Sequence, residues 1–187
     1  MAALQLLGMK HSGKSTLGAL AARRLGWGFA DLDTLLEREH LGTPRLSARE
    51  IYRELGQEAF QAYEAQAAWK VVPLLEKGSY VLAWGGGTAT NPAAVQALQN
   101  HGVLVLLNER AELLFERILR GGLPAFLSKE TPWEDFQRLY QERMALMETL
   151  TTNRVNLAGS TIDVALTKLL QTLEGELHAR QQFRTPL

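Results

Sequence analysis

The sequence predicts an α/β fold in which helices cover both faces of a mostly parallel β-sheet. Short apolar runs bounded by turn residues alternate along the chain with stretches of helical apolar spacing. Alternation of this kind is typical of βαβ units, in which consecutive strands run parallel. The 187 residues suffice for one domain, and no repeat, linker or low-complexity block divides them. We therefore predict a single domain spanning residues 1–187.

The elements are predicted in order from their local patterns. Five apolar runs are interpreted as buried strands, at residues 3–7, 28–30, 80–84, 103–107 and 154–157. Ser47 and Glu50 form a capping-box pattern that opens a helix, and Asn91 with Pro92 is typical of an N-cap and first helical position. Other helices are predicted at 14–25, 58–77, 111–120, 131–147 and 160–177. Pro73 is expected to kink or interrupt its helix, and residues 178–187 are expected to form a polar, frayed tail.

The composition excludes several classes of function. Lys+Arg and Asp+Glu both number 20, so the formal net charge is zero, which argues against a sequence-independent nucleic-acid binder. The chain has no cysteine, which excludes disulfides and cysteine-ligated zinc. No apolar run approaches the ~18 residues that cross a bilayer, and the N-terminal run is too short for a signal peptide. We expect a cytoplasmic protein without nucleic-acid or membrane partners, and we expect it to be a monomer.

The stretch "GMKHSGKST", residues 8–16, lies between a predicted strand and a predicted helix. Gly8, Gly13, Lys14 and Ser15 fit the phosphate-binding pattern G-x-x-x-x-G-K-[ST]. Glycines let the backbone wrap closely around a polyanion, and the helix N-terminus adds partial positive charge. Lys14 then reaches the β- and γ-phosphates of a nucleotide, and the Ser15 hydroxyl ligates Mg²⁺. A chance glycine turn is the alternative, but the strand–loop–helix context favours nucleotide binding.

We predict that the whole loop contacts the nucleotide. The contacts are expected from Gly8, Lys10, His11, Ser12, Gly13, Lys14, Ser15 and Thr16. His11 occupies a position where small residues are common, and we interpret it as a residue of the loop surface rather than a catalytic group.

The segments after the strands should bear the chemistry, because ligands of parallel α/β sheets bind beyond the carboxyl ends of the strands. Asp31 and Asp33 follow the second strand, two residues apart, so in an extended chain both carboxylates point to one side. Two such charges are costly together unless a cation or a donor lies between them. Mg²⁺ would neutralise one of the two carboxylates, and a substrate hydroxyl would donate a hydrogen bond to the other. An acidic turn with a helix N-cap at Asp33 is the alternative.

Two further segments have the composition of ligand-binding loops. Three glycines, Gly85, Gly86 and Gly87, follow the third strand and favour close approach of a ligand to the backbone, with a loose turn as the alternative. Arg117 and Arg120 precede a Gly-Gly pair, which suggests a lid around residues 119–131 that closes on phosphates and base. Basic residues that complement a helix C-terminus are the alternative for these arginines.

Taken together, these motifs resemble the shikimate kinase family over roughly residues 3–175. The resemblance rests on the order and spacing of "GMKHSGKST", "FADLD", "LGQEAFQAYE", "VLAWGGGTATNP" and "YQERMALM". It implies a three-layer α/β/α P-loop kinase fold with a central five-stranded parallel sheet. It also implies Mg²⁺-dependent transfer of the ATP γ-phosphoryl group to the 3-hydroxyl of shikimate, a small hydroxylated acid, in aromatic amino-acid biosynthesis.

The resemblance implies a role for each matching residue. Lys14 acts on the triphosphate, Ser15 and Asp31 hold Mg²⁺, Asp33 binds the acceptor hydroxyl and accepts its proton, and Arg117 stacks on adenine. The turn at 158–161 flanks the base. Substrate contacts are implied for Asp33, Gln61, Glu64, Gly85, Gly86, Gly87 and Arg143. Of these, the arginine grips the shikimate carboxylate.

The chain departs from the family pattern on the acceptor side. Gln61 replaces an arginine of the family's F-R-x-x-E, and Leu123 replaces the lid arginine of R-P-L-L. Losing one hydrogen-bonded charge partner in a desolvated site costs ~2–5 kcal/mol, and losing a lid arginine costs ~10³-fold in rate. Arg120, three residues earlier, is a candidate catalytic substitute for the lid arginine.

Three functions are consistent with this pattern. The chain is a kinase of shikimate, a kinase of the same build acting on another hydroxylated acceptor, or a nucleotide-binding protein that has lost catalysis. Lys14, Ser15, Asp31 and Asp33 are all in place, which argues against the third. Gln61 and Leu123 separate the first from the second.

Overall fold

The computed structural model describes residues 2–40, 46–123 and 127–182. The strands are β1 (Ala3–Leu7), β2 (Gly28–Asp31), β3 (Tyr80–Ala83), β4 (Val103–Asn108) and β5 (Arg154–Asn156). They form one parallel sheet with the order β2-β3-β1-β4-β5. All five predicted strands are present, and their ends differ from the prediction by at most one residue.

The described residues contain seven α-helices. These are α1 (Lys14–Leu25), α2 (Leu32–Glu39), α3 (Ala48–Lys77), α4 (Pro92–Leu98), α5 (Ala111–Leu119), α6 (Pro132–Leu150) and α7 (Ile162–Gln182). The capping box at Ser47 and Glu50 is confirmed, as is the N-cap at Asn91 with Pro92 in the first turn of α4. None of the helices in the described ranges combines the length and apolarity needed to cross a bilayer.

The helix that contains Pro73 is not interrupted there, so this part of the prediction is wrong, while a kink at Pro73 stays a prediction. Helix α3 runs for 30 residues through Pro73, and its one non-helical residue is Gly56, with φ 82° and ψ 176°. A proline removes one backbone hydrogen bond, but Val71 and Leu75 on either side are buried in the core. Their packing holds the helix together, whereas Gly56 adopts a backbone conformation that few other residues accept.

The end of the chain also differs from the prediction. Helix α7 continues to Gln182, five residues beyond the predicted end, so the frayed tail does not begin at residue 178. Arg180 anchors this last part, because its guanidinium donates to the Gly102 carbonyl at 3.0 Å. Residues 183–187 lie outside the described part of the chain, as do residues 124–126 of the predicted lid.

Two apolar cores lie on opposite faces of the sheet. Alternate β1 side chains divide between them: Ala3 and Leu7 pack with α3, α4, α5 and α6, while Leu4 and Leu6 pack with α1 and α7. Helix α2 joins the first face through Leu32 and Leu36, which are both fully buried. This arrangement is the three-layer α/β/α fold that the sequence predicts.

The register of the central strands places their carboxyl ends in one row. Leu6 of β1 pairs with Ala83 of β3, and Ala83 pairs with Asp31 of β2. The phosphate-binding loop, the two aspartates and the three glycines therefore leave the sheet side by side. Buried Gln5 of β1 helps to hold this edge in place, because its side-chain oxygen accepts a hydrogen bond from the Trp84 indole at 2.8 Å.

Candidate active site

The phosphate-binding loop has a backbone that depends on its glycines. Gly13 is in the left-handed region with φ 89°, directly before α1. At Gly8, a Cβ atom would lie 2.7 Å from Ser12 Oγ and 2.8 Å from the Leu107 carbonyl oxygen, so any side chain would clash. The N-cap residue of α1 is Gly13, which has no side chain to cap the helix, so the amides of its first turn are available to an anion.

Lys14 lies inside this loop with 7% of its surface exposed. Its Nζ donates to the carbonyl oxygens of Gly8 and Met9, both at 2.9 Å. Burial lowers the pKa of Lys14 to about 8, while Asp33 and Asp31 act in the opposite direction. The cation is thus held over the loop by neutral carbonyl groups, where an incoming phosphate would meet it.

We expect MgADP binding to take up a proton at Lys14 above neutral pH. With a pKa of about 8, the amine is largely neutral near pH 8.5, and adjacent phosphate oxygens restore its charge, so binding should take up roughly half to one proton. The uptake should disappear near pH 6.5, where the amine is already protonated. Calorimetry in buffers of different ionisation enthalpy measures it. The Lys14→Met variant is the control, and equal uptake in the variant would contradict the assignment.

Asp31 links the end of β2 to the phosphate-binding loop. Its Oδ1 accepts from the backbone amides of Asp33 at 3.0 Å and Thr34 at 3.3 Å, which makes it the N-cap of α2. Its Oδ2 accepts from the Ser15 hydroxyl. The alternative N-cap at Asp33 is therefore wrong, and so is the extended geometry expected for the pair, because α2 begins at Leu32.

The Ser15–Asp31 pair fits the donor set of Mg²⁺. One hydroxyl and one carboxylate touch each other at the N-terminal end of α1. In the described ranges, no three or more His, Cys, Asp and Glu side chains cluster into a metal site made of protein alone. Mg²⁺ commonly binds through one or two protein oxygens plus phosphates and water. The pair therefore suits an ion that arrives with a nucleotide.

Asp33 lies in the first turn of α2 and faces the glycine turn. A Cβ atom on Gly85 would lie 2.6 Å from Asp33 Oδ1. Burial raises the pKa of Asp33, and the Asp31 carboxylate raises it further, although Lys14 opposes both. Asp33 is thus a desolvated carboxylate beside a cation, which is the environment of a general base.

Two of the three glycines, Gly85 and Gly86, are required by close packing of the protein itself. Besides the Asp33 contact, a Cβ on Gly85 would lie 2.9 Å from Thr88 Oγ1, and one on Gly86 would lie 3.0 Å from the Lys10 amide nitrogen. The loose-turn alternative is therefore wrong. At Gly87 the nearest atom is Arg143 Nη2, at 3.6 Å from the position of a Cβ, so this end of the turn faces a cation.

Arg143 projects from α6 towards the glycine turn. Its Nη1 donates to the Gly86 carbonyl oxygen at 3.2 Å. Its Nε is buried, and among the described residues it has no hydrogen-bond partner. Burial lowers the pKa of Arg143, against the effect of Tyr52 and Glu64. A buried donor without a partner is costly, and a carboxylate ligand would satisfy it.

Glu64 holds the segment that follows the glycines. It is 2% exposed, and its two oxygens accept from Thr88 Oγ1 at 2.6 Å and Asn91 Nδ2 at 2.9 Å. Burial raises its pKa against these hydrogen bonds. Gln61, one helical turn away, donates weakly from Nε2 to the Thr90 carbonyl at 3.4 Å. Direct substrate contacts by Glu64 and Gln61 stay predictions.

Arg117 lies on the other side of the loop. Its Nη1 donates to the His11 carbonyl oxygen at 3.0 Å, and its Nη2 pairs with Glu109 at 3.2 Å. His11 has an exposed side chain and φ 65°, which agrees with its interpretation as a loop-surface residue. Burial lowers the pKa of His11, and Lys10 lowers it further. Ser12 Oγ is buried, without a partner in the described ranges.

The position of the family's lid arginine is occupied by Leu123, which cannot supply a positive charge. Leu123 is 38% exposed. Arg120 is the C-cap residue directly after α5, and its exposed side chain forms no hydrogen bond or ion pair within the described residues. The catalytic role of Arg120 stays a prediction, because residues 124–126 of the predicted lid lie outside the described part of the chain.

Sequence reasoning missed two residues beside the site. Glu109 directly follows β4, so the rule that sent attention to the segments after strands applies to it as well. Tyr52 is near enough to Arg143 to act on the pKa of that guanidinium, and its ring packs edge-on against Phe60 with centroids 5.6 Å apart. No sequence pattern singles out Tyr52, because non-helical Gly56 lies between Tyr52 and Phe60 and breaks the regular helical spacing that would pair them.

Comparisons with known proteins point to one family. A family model described as shikimate kinase matches residues 10–174. The shikimate kinase of Thermus thermophilus is 32% identical over 176 residues, covering 94% of this chain and 91% of the relative. That of Chlamydia pneumoniae is 31% identical over 145 residues, covering 78% of this chain and 80% of the relative.

Solved structures show the same architecture. Shikimate kinase from Acinetobacter baumannii in complex with shikimate has a TM-score of 0.81 and 25% identity, and the match covers 94% of each chain. A gluconokinase from Sinorhizobium meliloti, at 16% identity and a TM-score of 0.57, shares the fold alone. The family match spans most of the residues that build the sheet and the site, and the chain belongs to the shikimate kinase family.

Proposed function

We propose that this chain is an ATP-dependent kinase that phosphorylates a hydroxyl of shikimate. One observation carries the proposal: Arg143 presents a buried Nε, which has no hydrogen-bond partner among the described residues, beside the glycine turn that Asp33 also approaches. One turn is thus flanked by a cation that can bind a carboxylate and by a base that can accept the proton of a hydroxyl. Hydroxylated acids such as shikimate have both groups. The Acinetobacter relative was solved with shikimate bound, which supports the choice of acceptor.

The donor side is built for a nucleoside triphosphate. The loop amides and the α1 N-terminus would bind the phosphates, with Lys14 at their centre. Ser15 and Asp31 would hold Mg²⁺, which when bound neutralises phosphate charge. Arg117, between the His11 carbonyl and Glu109, would face the base.

The transfer step needs a base and a charge clamp. Asp33 accepts the proton of the acceptor hydroxyl, whose oxygen forms a bond to the γ-phosphorus as the bond from that phosphorus to the β–γ bridging oxygen breaks. ADP leaves with both bonding electrons. Lys14 stabilises the negative charge on the transferring group.

A kinase acting on another hydroxylated acid is the second candidate, and Gln61 favours it. Its amide donates to the Thr90 carbonyl, so Gln61 adds no positive charge to that of Arg143 beside the glycine turn. An acceptor with weaker anionic character would need no second arginine. Monomeric state and cytoplasmic location are further parts of the proposal and stay predictions from the sequence.

Restoring the missing cation separates the two candidates. We expect Gln61→Arg to lower the KM for shikimate about tenfold or more with little change in kcat, because a charged, bidentate contact contributes at least ~1.4 kcal/mol over a neutral one. Steady-state kinetics at saturating MgATP measures both constants. Gln66→Arg makes the same charge change at an exposed position of α3 and should leave both unchanged. An unaltered KM in Gln61→Arg would favour the other acceptor.

A further inference from the structure

Glu109 is a buried carboxylate that the transfer reaction does not use. It follows β4 directly and is 3% exposed. A buried carboxylate is costly unless its oxygens are paired, so its partners indicate what it stabilises.

Those partners come from three places around the base side of the loop. Oε2 pairs with Arg117 Nη2 at 3.2 Å. Oε1 accepts from the backbone amides of Arg110 at 3.0 Å and of Gly159 at 3.0 Å. One side chain thereby joins the start of α5, the Arg117 guanidinium in its last turn and the turn that precedes α7.

Two of these partners are themselves constrained. Arg117 uses its other terminal nitrogen on the His11 carbonyl, at 3.0 Å. The turn at Gly159 has two successive residues of positive φ, Ala158 at 45° and Gly159 at 70°, a backbone conformation that is unfavourable for alanine and needs support from its surroundings. Glu109 supplies a hydrogen bond to the second of them.

We propose that Glu109 is a positioning residue for the base-side half of the nucleotide site. It aims the Arg117 guanidinium and fixes the turn at Ala158 and Gly159, so that both present fixed surfaces to the base while the loop holds the phosphates. The inference rests on the proposed kinase function. If Glu109 and Arg117 formed a purely structural ion pair, its loss would lower the stability of the fold, but it would not weaken the binding of the base more than the binding of the phosphates.

The Glu109→Gln variant isolates this role with minimal change of shape. Glutamine keeps an oxygen that can accept from the Arg110 and Gly159 amides. Its amide nitrogen then faces Arg117 Nη2, so that two donors oppose each other and the guanidinium is released. Glu116→Gln is the matched control, because Glu116 lies on α5 with an exposed side chain.

The test compares two probes by calorimetry, MgADP and Mg-tripolyphosphate, which has no base. Glu109→Gln should weaken MgADP binding about tenfold and tripolyphosphate binding less than about twofold. The KM for shikimate should not move, and Glu116→Gln should match the wild type. Arg117→Met should reproduce the same selectivity, and in that background Glu109→Gln should cost clearly less than it does alone.

Several outcomes would overturn the proposal. Unchanged MgADP affinity in Glu109→Gln, or an equal loss for both probes, would show that Glu109 does not act on the base side, while the kinase function would stand. If Glu109→Gln fails to fold, Arg117→Met alone decides, and an equal loss for both probes there would count against the proposal. A wild type that binds neither probe would overturn the kinase function and this inference together.

Discussion

Replacing Asp33 with asparagine is expected to lower kcat about 10²- to 10⁴-fold with shikimate as acceptor, because an amide cannot accept the hydroxyl proton. MgADP binding should persist, since Asp33 lies against the glycine turn rather than in the phosphate-binding loop. Single-turnover kinetics and calorimetry measure the two effects separately. Asp163→Asn, at an exposed position in the first turn of α7, should behave as the wild type.

The pH dependence gives the same prediction a second readout. Burial and Asp31 raise the pKa of Asp33 above its usual value, and a base acts in its deprotonated form. The wild-type kcat/KM should therefore rise with pH through this raised pKa, and the rise should be lost in Asp33→Asn. A variant that retains both its rate and its acidic limb would show that the proton goes directly to the phosphoryl oxygen.

Replacing Lys14 with methionine is expected to lower kcat/KM for MgATP about 10³-fold, because the cation that meets the transferring phosphoryl group is removed. The thermal midpoint without nucleotide should not fall. Burial already lowers the pKa of this amine to about 8, so its charged form is costly in the folded state, and an apolar side chain of similar length removes that cost.

Exposed Lys77, in the last turn of α3, provides the control substitution Lys77→Met. It should leave kcat/KM unchanged. A wild-type rate in Lys14→Met would contradict the placement of the phosphates over the loop. A large fall in its thermal midpoint would instead show that the lysine serves the fold through its contacts with Gly8 and Met9.

The sequence predicted those parts of the site that depend on local pattern. The loop at Gly8 and Gly13 requires a fixed spacing, and the strands end one residue or less from the predicted positions. The rule that chemistry follows the strand ends located Asp31, Asp33 and the three glycines, because the strand register aligns those ends.

The rest depends on contacts between distant parts of the chain. Glu64 bonds Thr88 and Asn91, at separations of 24 and 27 residues, and Glu109 bonds Gly159 across 50 residues. No local spacing encodes such pairings. The helix through Pro73 likewise depends on tertiary packing that outweighs local preference, and the choice of Asp31 over Asp33 as N-cap depends on where α2 begins.

The identity of the acceptor is tested most directly by ADP release from MgATP with shikimate, against a panel of hydroxylated acids and cyclitols and a blank without acceptor. Our account predicts shikimate-dependent ADP release well above the blank, with one phosphate gained by shikimate for each ADP formed. It also predicts that shikimate gives the highest kcat/KM of the panel. A rate with shikimate equal to the blank, alongside turnover of another acid, would contradict it.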